Sequence, residues 1–587
     1  MSTTLTGLGV SPGIAIGPPV VHENRPISTL RITIPSDQVD AEVHRFSAAV
    51  TATVDTIWEN RERALEEMGE EYAGIFEAHQ LIATDPSFVE TVKQVIRDDK
   101  VNAEWATDQV IGKLVAKFEA LPHAHLAERK LDVLDVANQI LNTLQGVDLG
   151  SLDHLDRPAI LVADDLPPSQ VVQLPLEKIL GFALETGGPT AHTTIIARSF
   201  GIPVIVGAQG LCKAGRSSRE VALDAFEGKI VFDPAPAVVA EYASRQREYR
   251  EQQDQLLAMR AMPSVTRDGH EITILANIDL PNEVALARQW NVAGIGLYRS
   301  EFLHMKMSPN LPSEKDHLAA YREIAREMDP HPVTIRTFDL GGRKLARDVI
   351  GSMEANPVLG LRGIRLCFSQ PEFFRSQLRA LVRLAGEFEP GRIRIMFPLI
   401  SGLEEFRIAR LLVLRITEEL RDEGYPIPAR LPLGAMVEVP SSAVMARELA
   451  READFLSIGT NDLIQYALAV DRSNEMVAGL YRPTSPAILR LIAKVVEAGR
   501  AEGIPVSMCG EMAADPLMVP VLLGIGLEYF SMNPQSAPVV RALVRQLSYR
   551  ESVALAREAC RMTTARDVEE FLLERLAISL AKIKIRV

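Results

Sequence analysis

The sequence predicts a multidomain α/β chain: a β/α unit that carries an inserted helical bundle, then a linker helix, then a C-terminal (β/α)8 TIM barrel. Three observations carry this. Short β-rich runs rich in Gly and Pro open the chain and return between Ile160 and Pro234. A glycine-poor stretch with heptad-like apolar spacing lies between them, and eight strand-like runs, most of them separated by helical patterns, fill the last part. The 587 residues are ample for three or four domains at roughly 150 residues each.

The opening GLGVSPGIAIGPPVV reads as a short strand with tight turns, too small to fold alone. From about Val39 to Leu144, as in HRFSAAVTATVDTIWENRERALEEM, the period becomes helical. AILVADD, KILGFALE, IPVIVG, VALDA and KIVFD then restore β texture, so the bundle is an insertion and the first strand pairs into the later unit. AVVAEYASRQREYREQQDQLLAMRAM has no Gly or Pro inside it and reads as a solvated, stiff connecting helix. Beyond it come ITILANI, GIGLYRSEF, VTIRTFDL, RIRIMFPLI, LPLGAMVEV, FLSIGTNDL, PVSMCGEM and EYFSM, the eight barrel strands. The boundaries are residues 1–21 with 146–235 for the β/α unit, 22–145 for the insertion, 236–262 for the linker and 263–587 for the barrel.

Composition narrows the function. A net charge of -14 and a pI near 5.4 exclude nucleic acid and anionic membrane as main partners, because both demand a basic face. Four cysteines without CxxC or CxxH spacing offer neither a zinc knot nor a disulfide framework. No segment approaches the roughly 20 uninterrupted apolar residues of a membrane span, and the N-terminus lacks a basic region followed by an apolar core. The expectation is a cytoplasmic chain with no direct membrane insertion.

Polar residues, Glu301, Asp339 and Glu511 among them, gather at the C-terminal ends of the barrel strands, where a barrel places its catalytic face. Glu438 and Asp462 can hold a hard cation such as Mg²⁺ through oxygen. Arg299 and Arg336 supply planar donors for phosphate or carboxylate, and Arg472 adds a third cation. Cys509 can exchange a proton with carbon. Singly, each is an ordinary ion pair or core thiol; together they describe a small, doubly anionic, metal-chelating substrate. No HExxH, Walker loop or GxGxxG supports a zinc protease, a P-loop enzyme or a dinucleotide enzyme.

The stretch GGPTAHTTIIARSFGIPVIVG places His192 between a glycine turn and a helix start. A lone histidine is commonly a satisfied core or surface residue. Here the glycines admit a close ligand, Thr190, Thr193 and Thr194 offer hydroxyls, and the helix start favours anions, so covalent phosphoryl transfer competes with that reading. His79, in GIFEAHQLIATDP, reads as a packing or interface residue rather than a nucleophile.

At these residues the sequence resembles Enzyme I of the phosphoenolpyruvate:sugar phosphotransferase system and its dikinase relatives. GGPTAHTTIIARSFGIPVIVG is similar to their phosphohistidine motif, and LSIGTNDLIQYALAVDR and VSMCGEMAADP to the Enzyme I barrel signatures. NPVLGLRGIR and GIGLYRSEFLHM resemble further stretches, so the likeness runs nearly end to end. It implies that His192 accepts phosphate from phosphoenolpyruvate, releasing pyruvate, and passes it to a histidine of an HPr-like carrier bound by the helical insertion. It further implies Mg²⁺ on Glu438 and Asp462, substrate on Arg299, Arg336, Asn461, Asp462 and Arg472, protonation of the enolate by Cys509, and a barrel-mediated homodimer.

Four positions depart from the family pattern. Pro167, in DLPPS, replaces a threonine that faces the active histidine; Pro189 stands where some members have Arg, Arg343 where GGDK is usual, and Leu134 where an arginine is common. Two other readings follow: a regulatory paralogue that turns over slowly, and a dikinase, which the short, glycine-poor bundle disfavours for want of an ATP-grasp domain.

Overall fold

The computed structural model describes residues 2–23, 29–67, 70–119, 125–146, 155–187, 201–281, 283–303, 311–339, 356, 358–472, 474 and 476–582. His192, Pro189 and Arg343 lie outside them. The chain divides into two compact units, Met1–Glu251 and Gln252–Val587.

The first unit opens with β1 (Thr3–Thr6), and the stretch from Gly7 forms three short strands rather than one: β2 (Leu8–Ser11), β3 (Ile14–Gly17) and β4 (Pro19–His22). Each pairs with a strand far along the chain. β5 (Ala159–Ala163), β6 (Ile179–Leu184) and β7 (Val204–Val206) join β4 and β2 in a five-stranded sheet ordered β2-β7-β6-β5-β4. β8 (Val221–Asp224) and β9 (Lys229–Phe232) join β1 and β3 in a four-stranded sheet ordered β1-β9-β8-β3. No four-residue strand buries enough to persist alone, so these segments are ordered by long-range pairing.

Five helices intervene: Val39–Glu67, Glu70–Ala83, Pro86–Asp99, Ala103–Glu119 and His125–Gln145. Their boundaries are chemically written. Asp85 caps the third by accepting from Ser87 N at 2.7 Å, with Pro86 at the first helical position where its missing N–H costs nothing. Phe46, Ile57, Phe76, Val92, Ile96 and Ile140 fill the core of this bundle.

The helix Pro236–Ala258 is present, but its first half is not the solvated rod its composition predicts. Tyr242 is buried against Ile14, Ala222 and Val231, Arg245 pairs with the fully buried Asp224 at 2.7 Å, and Gln246 Nε2 donates to Ile14 O at 2.7 Å. Val238, one turn before Tyr242 and so on the same face, packs against the same cluster.

The second unit is a closed barrel of eight strands: β10 (Thr273–Ile278), β11 (Ile295–Arg299), β12 (Val333–Arg336), β13 (Ile393–Phe397), β14 (Leu433–Val437), β15 (Phe455–Ile458), β16 (Val506–Met508) and β17 (Tyr529–Met532). All neighbours are parallel, and β17 closes on β10 with Thr273 opposite Tyr529. The strands are buried almost throughout, as expected when helices cover the outside and side chains fill the inside.

Candidate active site at the barrel mouth

Register decides what meets at the mouth. Arg299 and Arg336 are partners across β11 and β12. Val437 pairs with Ile458 and Ile458 with Met508, so the next residues, Glu438, Gly459 and Cys509, come out side by side. Because alternate residues share a face, the same strands send Leu297, Met396, Met436 and Phe455 inward to form an apolar floor that includes Cys509. Above it opens a cavity of about 730 Å3.

Every barrel residue expected from the sequence lines this cavity: Arg299, Arg336, Glu438, Asn461, Asp462, Arg472 and Cys509. Arg336 is the most enclosed of the cations, with Nη2 3.0 Å from Glu301 Oε1 and Nη1 3.1 Å from Asp339 Oδ2. Burial opposes its charge, but Glu301, Asp339 and Glu438 outweigh that and push the guanidinium up from its ordinary value. Its buried Nε has no hydrogen-bond partner among the described residues. Arg299 is more open and lies 3.3 Å from Asp279 Oδ2; Arg472 is exposed.

One participant went unrecognised in the sequence, and a second was seen only in part. Arg362 bridges Asp339 and Asp462 through Nη2, at 2.9 Å to each, and donates to Tyr466 OH at 3.1 Å. It stands on a loop before the short helix Ile364–Ser369, not at a strand end, so barrel logic could not place it. The only signal was its position inside NPVLGLRGIR. Asp339 was visible as a strand-end polar residue, but not as part of a carboxylate cluster.

Asp339, Glu438 and Asp462 offer oxygens that all lie within 4.8 Å of one another. Burial, reinforced by the charges of Asp339 and Asp462, pushes Glu438 up to about 8. Three crowded carboxylates with oxygen donors are a fit for a hard divalent cation, which removes that repulsion. The cluster is held from behind. Leu399 N donates to Glu438 Oε1 at 2.6 Å, and a Cβ on Gly459 would sit 2.8 Å from Glu438 Oε2. Leu399 adopts φ 54, a strained conformation for a leucine, and its side chain faces Gly363, where φ is +55 and a Cβ would come within 2.9 Å of Leu399 Cβ. Only glycine suits that position, next to Arg362.

Cys509 is buried, and burial pushes its thiol up to about 11 against the hydrogen bond that Ser457 Oγ donates at 3.3 Å. It therefore carries its proton at neutral pH. Asn461 and Glu511 exchange two hydrogen bonds, Asn461 Nδ2 to Glu511 Oε1 at 3.0 Å and Glu511 N to Asn461 Oδ1 at 3.1 Å, which fixes the amide beside the cavity. In the first unit, His79 is fully buried against Asp132 and Asp135, as a packing residue is. Pro167 precedes the helical turn Pro168–Val171 and makes no side-chain capping bond. Leu134 is half-buried against the bundle core.

Family models match three stretches of the chain: "PEP-utilising enzyme, N-terminal" over residues 6–129, "PEP-utilising enzyme, mobile domain" over 155–228, and "PEP-utilising enzyme, PEP-binding domain" over 253–549. The phosphoenolpyruvate-protein phosphotransferase of Bacillus sp. (strain S) is 39% identical over 568 residues, covering 97% of each chain. That of Bacillus subtilis (strain 168) is 38% identical over 570 residues, covering 97% of this chain and 99% of its own. A solution structure of "Enzyme I (nEIt) protein" is 35% identical and covers 42% of this chain and 99% of that one, with a TM-score of 0.37. With a closed parallel barrel, a charged cavity at its mouth and likeness along nearly the whole length, this chain belongs to the phosphoenolpyruvate-protein phosphotransferases, a family of transferase enzymes.

Proposed function

We propose that the barrel mouth binds phosphoenolpyruvate with Mg²⁺, that His192 takes its phosphoryl group, and that the phosphohistidine passes it to an HPr-like carrier protein. The observation that carries this reading is Arg336: a buried guanidinium whose Nε has no partner among the described residues, in a cavity shared with Arg299, Arg362 and Arg472 and with three clustered carboxylates. That combination suits a small ligand bearing both phosphate and carboxylate together with a cation.

The arginines neutralise the ligand's oxygens, and the Asn461 amide orients it. Glu438 and Asp462, with Asp339 alongside, would hold Mg²⁺, which when bound supplies Lewis-acid neutralisation of phosphoryl charge. The bond from phosphorus to the enol oxygen breaks as a His192 nitrogen bonds to phosphorus, and the electron pair stays on the enolate. Cys509, protonated and set in the apolar floor, gives its proton to the methylene carbon to complete pyruvate, and recovers one from solvent.

We assign residues 1–21 and 146–235 to the phosphohistidine domain, 22–145 to carrier binding, 236–262 to the linker and 263–587 to substrate binding and dimerisation. A carrier surface is supported by Trp58, Leu65, Leu81 and Leu131, apolar side chains exposed on three helices of the insertion. A homodimer through the barrel is supported by Ile408, Leu411 and Leu414, exposed three residues apart along the helix Leu403–Asp422. No described helix is long and apolar enough to cross a membrane, and the four cysteines are free, which suits a cytoplasmic setting. Pro167, unable to offer a hydroxyl, favours a slower, regulatory member as the second reading.

Labelled phosphoenolpyruvate with Mg²⁺ and no ATP should give an acid-labile, base-stable phosphoprotein that disappears in His192→Ala. No label would favour the regulator, and label only with ATP and pyruvate would favour a dikinase.

A further inference from the structure

Behind Arg336 and Asp339 lies a sealed hydrogen-bond chain centred on Gln377, which stands on the helix Pro371–Gly386 and has no exposed surface. Its Oε1 accepts from Phe338 N at 3.2 Å, and its Nε2 donates to Ser300 Oγ at 2.9 Å and to Tyr321 OH at 3.0 Å. Ser300 Oγ donates to Arg336 O at 2.8 Å, and Tyr321 OH lies 3.0 Å from His317 Nδ1. A backbone N–H can only donate, so Oε1 must face Phe338; both hydroxyls then receive from the amide, and Ser300 Oγ donates onward to Arg336 O, which can only accept. Ser300, His317, Tyr321 and Gln377 are all 0% exposed.

A buried glutamine is costly unless its amide is satisfied, and the surrounding core of Phe338, Phe373 and Phe374 would accept an apolar residue more cheaply. What this amide gains is hold on one segment. It reaches the backbone at Phe338 directly and at Arg336 through Ser300, and these flank the stretch that presents Arg336 and Asp339 to the cavity. Ser300 also precedes Glu301, whose Oε1 takes Arg336 Nη2 at 3.0 Å and Asp339 N at 2.6 Å.

We infer that Gln377 is a positioning residue for the barrel mouth: it fixes the backbone of residues 336–339, and so the spacing of the Arg336 guanidinium and the Asp339 carboxylate, without touching the ligand. The inference rests on the reading of the mouth as the phosphoenolpyruvate site.

The test uses full-length His192→Ala protein as parent, so that binding is measured without turnover. Phosphoenolpyruvate is titrated calorimetrically in the presence of Mg²⁺ against the parent, and against the parent carrying Gln377→Met, Ser300→Ala or both. Gln377→Met should weaken binding about 10-fold and Ser300→Ala about 3-fold, with the double variant no worse than about 10-fold, since links of one chain are not additive. Affinity for Mn²⁺ alone, read by electron paramagnetic resonance, should fall in Gln377→Met as well. A Gln377→Met protein that melts earlier yet binds like the parent would make the glutamine mere core filling and overturn the inference. Should that variant not fold, Ser300→Ala and Tyr321→Phe must still weaken binding, and unchanged affinity in both overturns it equally. A parent that binds no phosphoenolpyruvate sinks the substrate reading and the inference together; a binding parent with equal variants sinks the inference alone.

Discussion

Asp339 at the barrel mouth and Asp135 in the helical bundle are nearly equally hidden, with side chains 7% and 3% exposed, yet their acidities move in opposite directions. Burial raises both. At Asp339 the charges of Arg336 and Arg362 overcome it and hold the carboxyl below its ordinary value. At Asp135 burial wins over His79 and over hydrogen bonds from Ser169 and Gln139, so the carboxyl is pushed up. The lesson is that burial does not mark a functional acid. At Asp339 two fixed cations keep the group ionised in a place where a cation can use it.

The strongest way to break this contrast is to remove a compensating charge. Arg336→Met leaves Glu301 buried without its cation and Asp339 with Arg362 alone, and should cost about 3–5 kcal/mol of barrel stability and about 1000-fold in kcat/KM. Denaturant melts and steady-state kinetics read both.

Neutralising each aspartate tests the two regions against each other. Asp339→Asn should destabilise the barrel by about 3 kcal/mol at pH 7, whereas Asp135→Asn should cost the bundle about 1 kcal/mol and leave phosphoenolpyruvate binding unchanged. Their pH dependences should oppose. Asp339, with a depressed value, contributes stability above 3.8 that is lost as pH falls, so the wild-type advantage over Asp339→Asn shrinks in acid. Asp135, with a raised value, contributes fully below 3.8 and loses that contribution as pH rises, so the wild type gains on Asp135→Asn in acid. Urea titrations without divalent cation, at pH 7 and below 4, decide it; parallel slopes would dissolve the contrast.

Cys509 shows burial at the mouth outweighing the nearby charges of Arg336 and Arg299. With its thiol near 11, iodoacetamide should alkylate it about 100-fold more slowly than an unhindered thiol at pH 8, accelerating as pH rises towards 11. Peptide mass spectrometry reads the rate. A smaller effect is expected from Gly363→Ala, which must strain φ +55 and press on Leu399; displacing Arg362 next door should weaken phosphoenolpyruvate binding about 10-fold by calorimetry. Least of all, Arg566→Ala breaks an exposed pair with Glu570 and should shift Tm by less than about 1 °C.

Eight barrel strands and a helical bundle were legible because period and turn residues are local properties of the chain. Arg299, Arg336, Glu438 and Cys509 were legible for a related reason: each ends or follows a strand, and strand ends meet in a barrel by construction. Arg362 was not, since its place depends on the path of a loop, and neither was the seating of Tyr242 on β3, β8 and β9, which depends on a sheet assembled from distant strands.

By itself, the amino-acid sequence determined the barrel, the bundle and the family, through patterns that repeat every two or 3.6 residues and motifs long enough to be specific. Only the tertiary structure decided which carboxylates crowd within 4.8 Å, which cations compensate them and which amide holds them from behind. Those are properties of register and close approach between segments tens to hundreds of residues apart. Electrostatic energy depends on such distances, and spacing along a chain does not contain them.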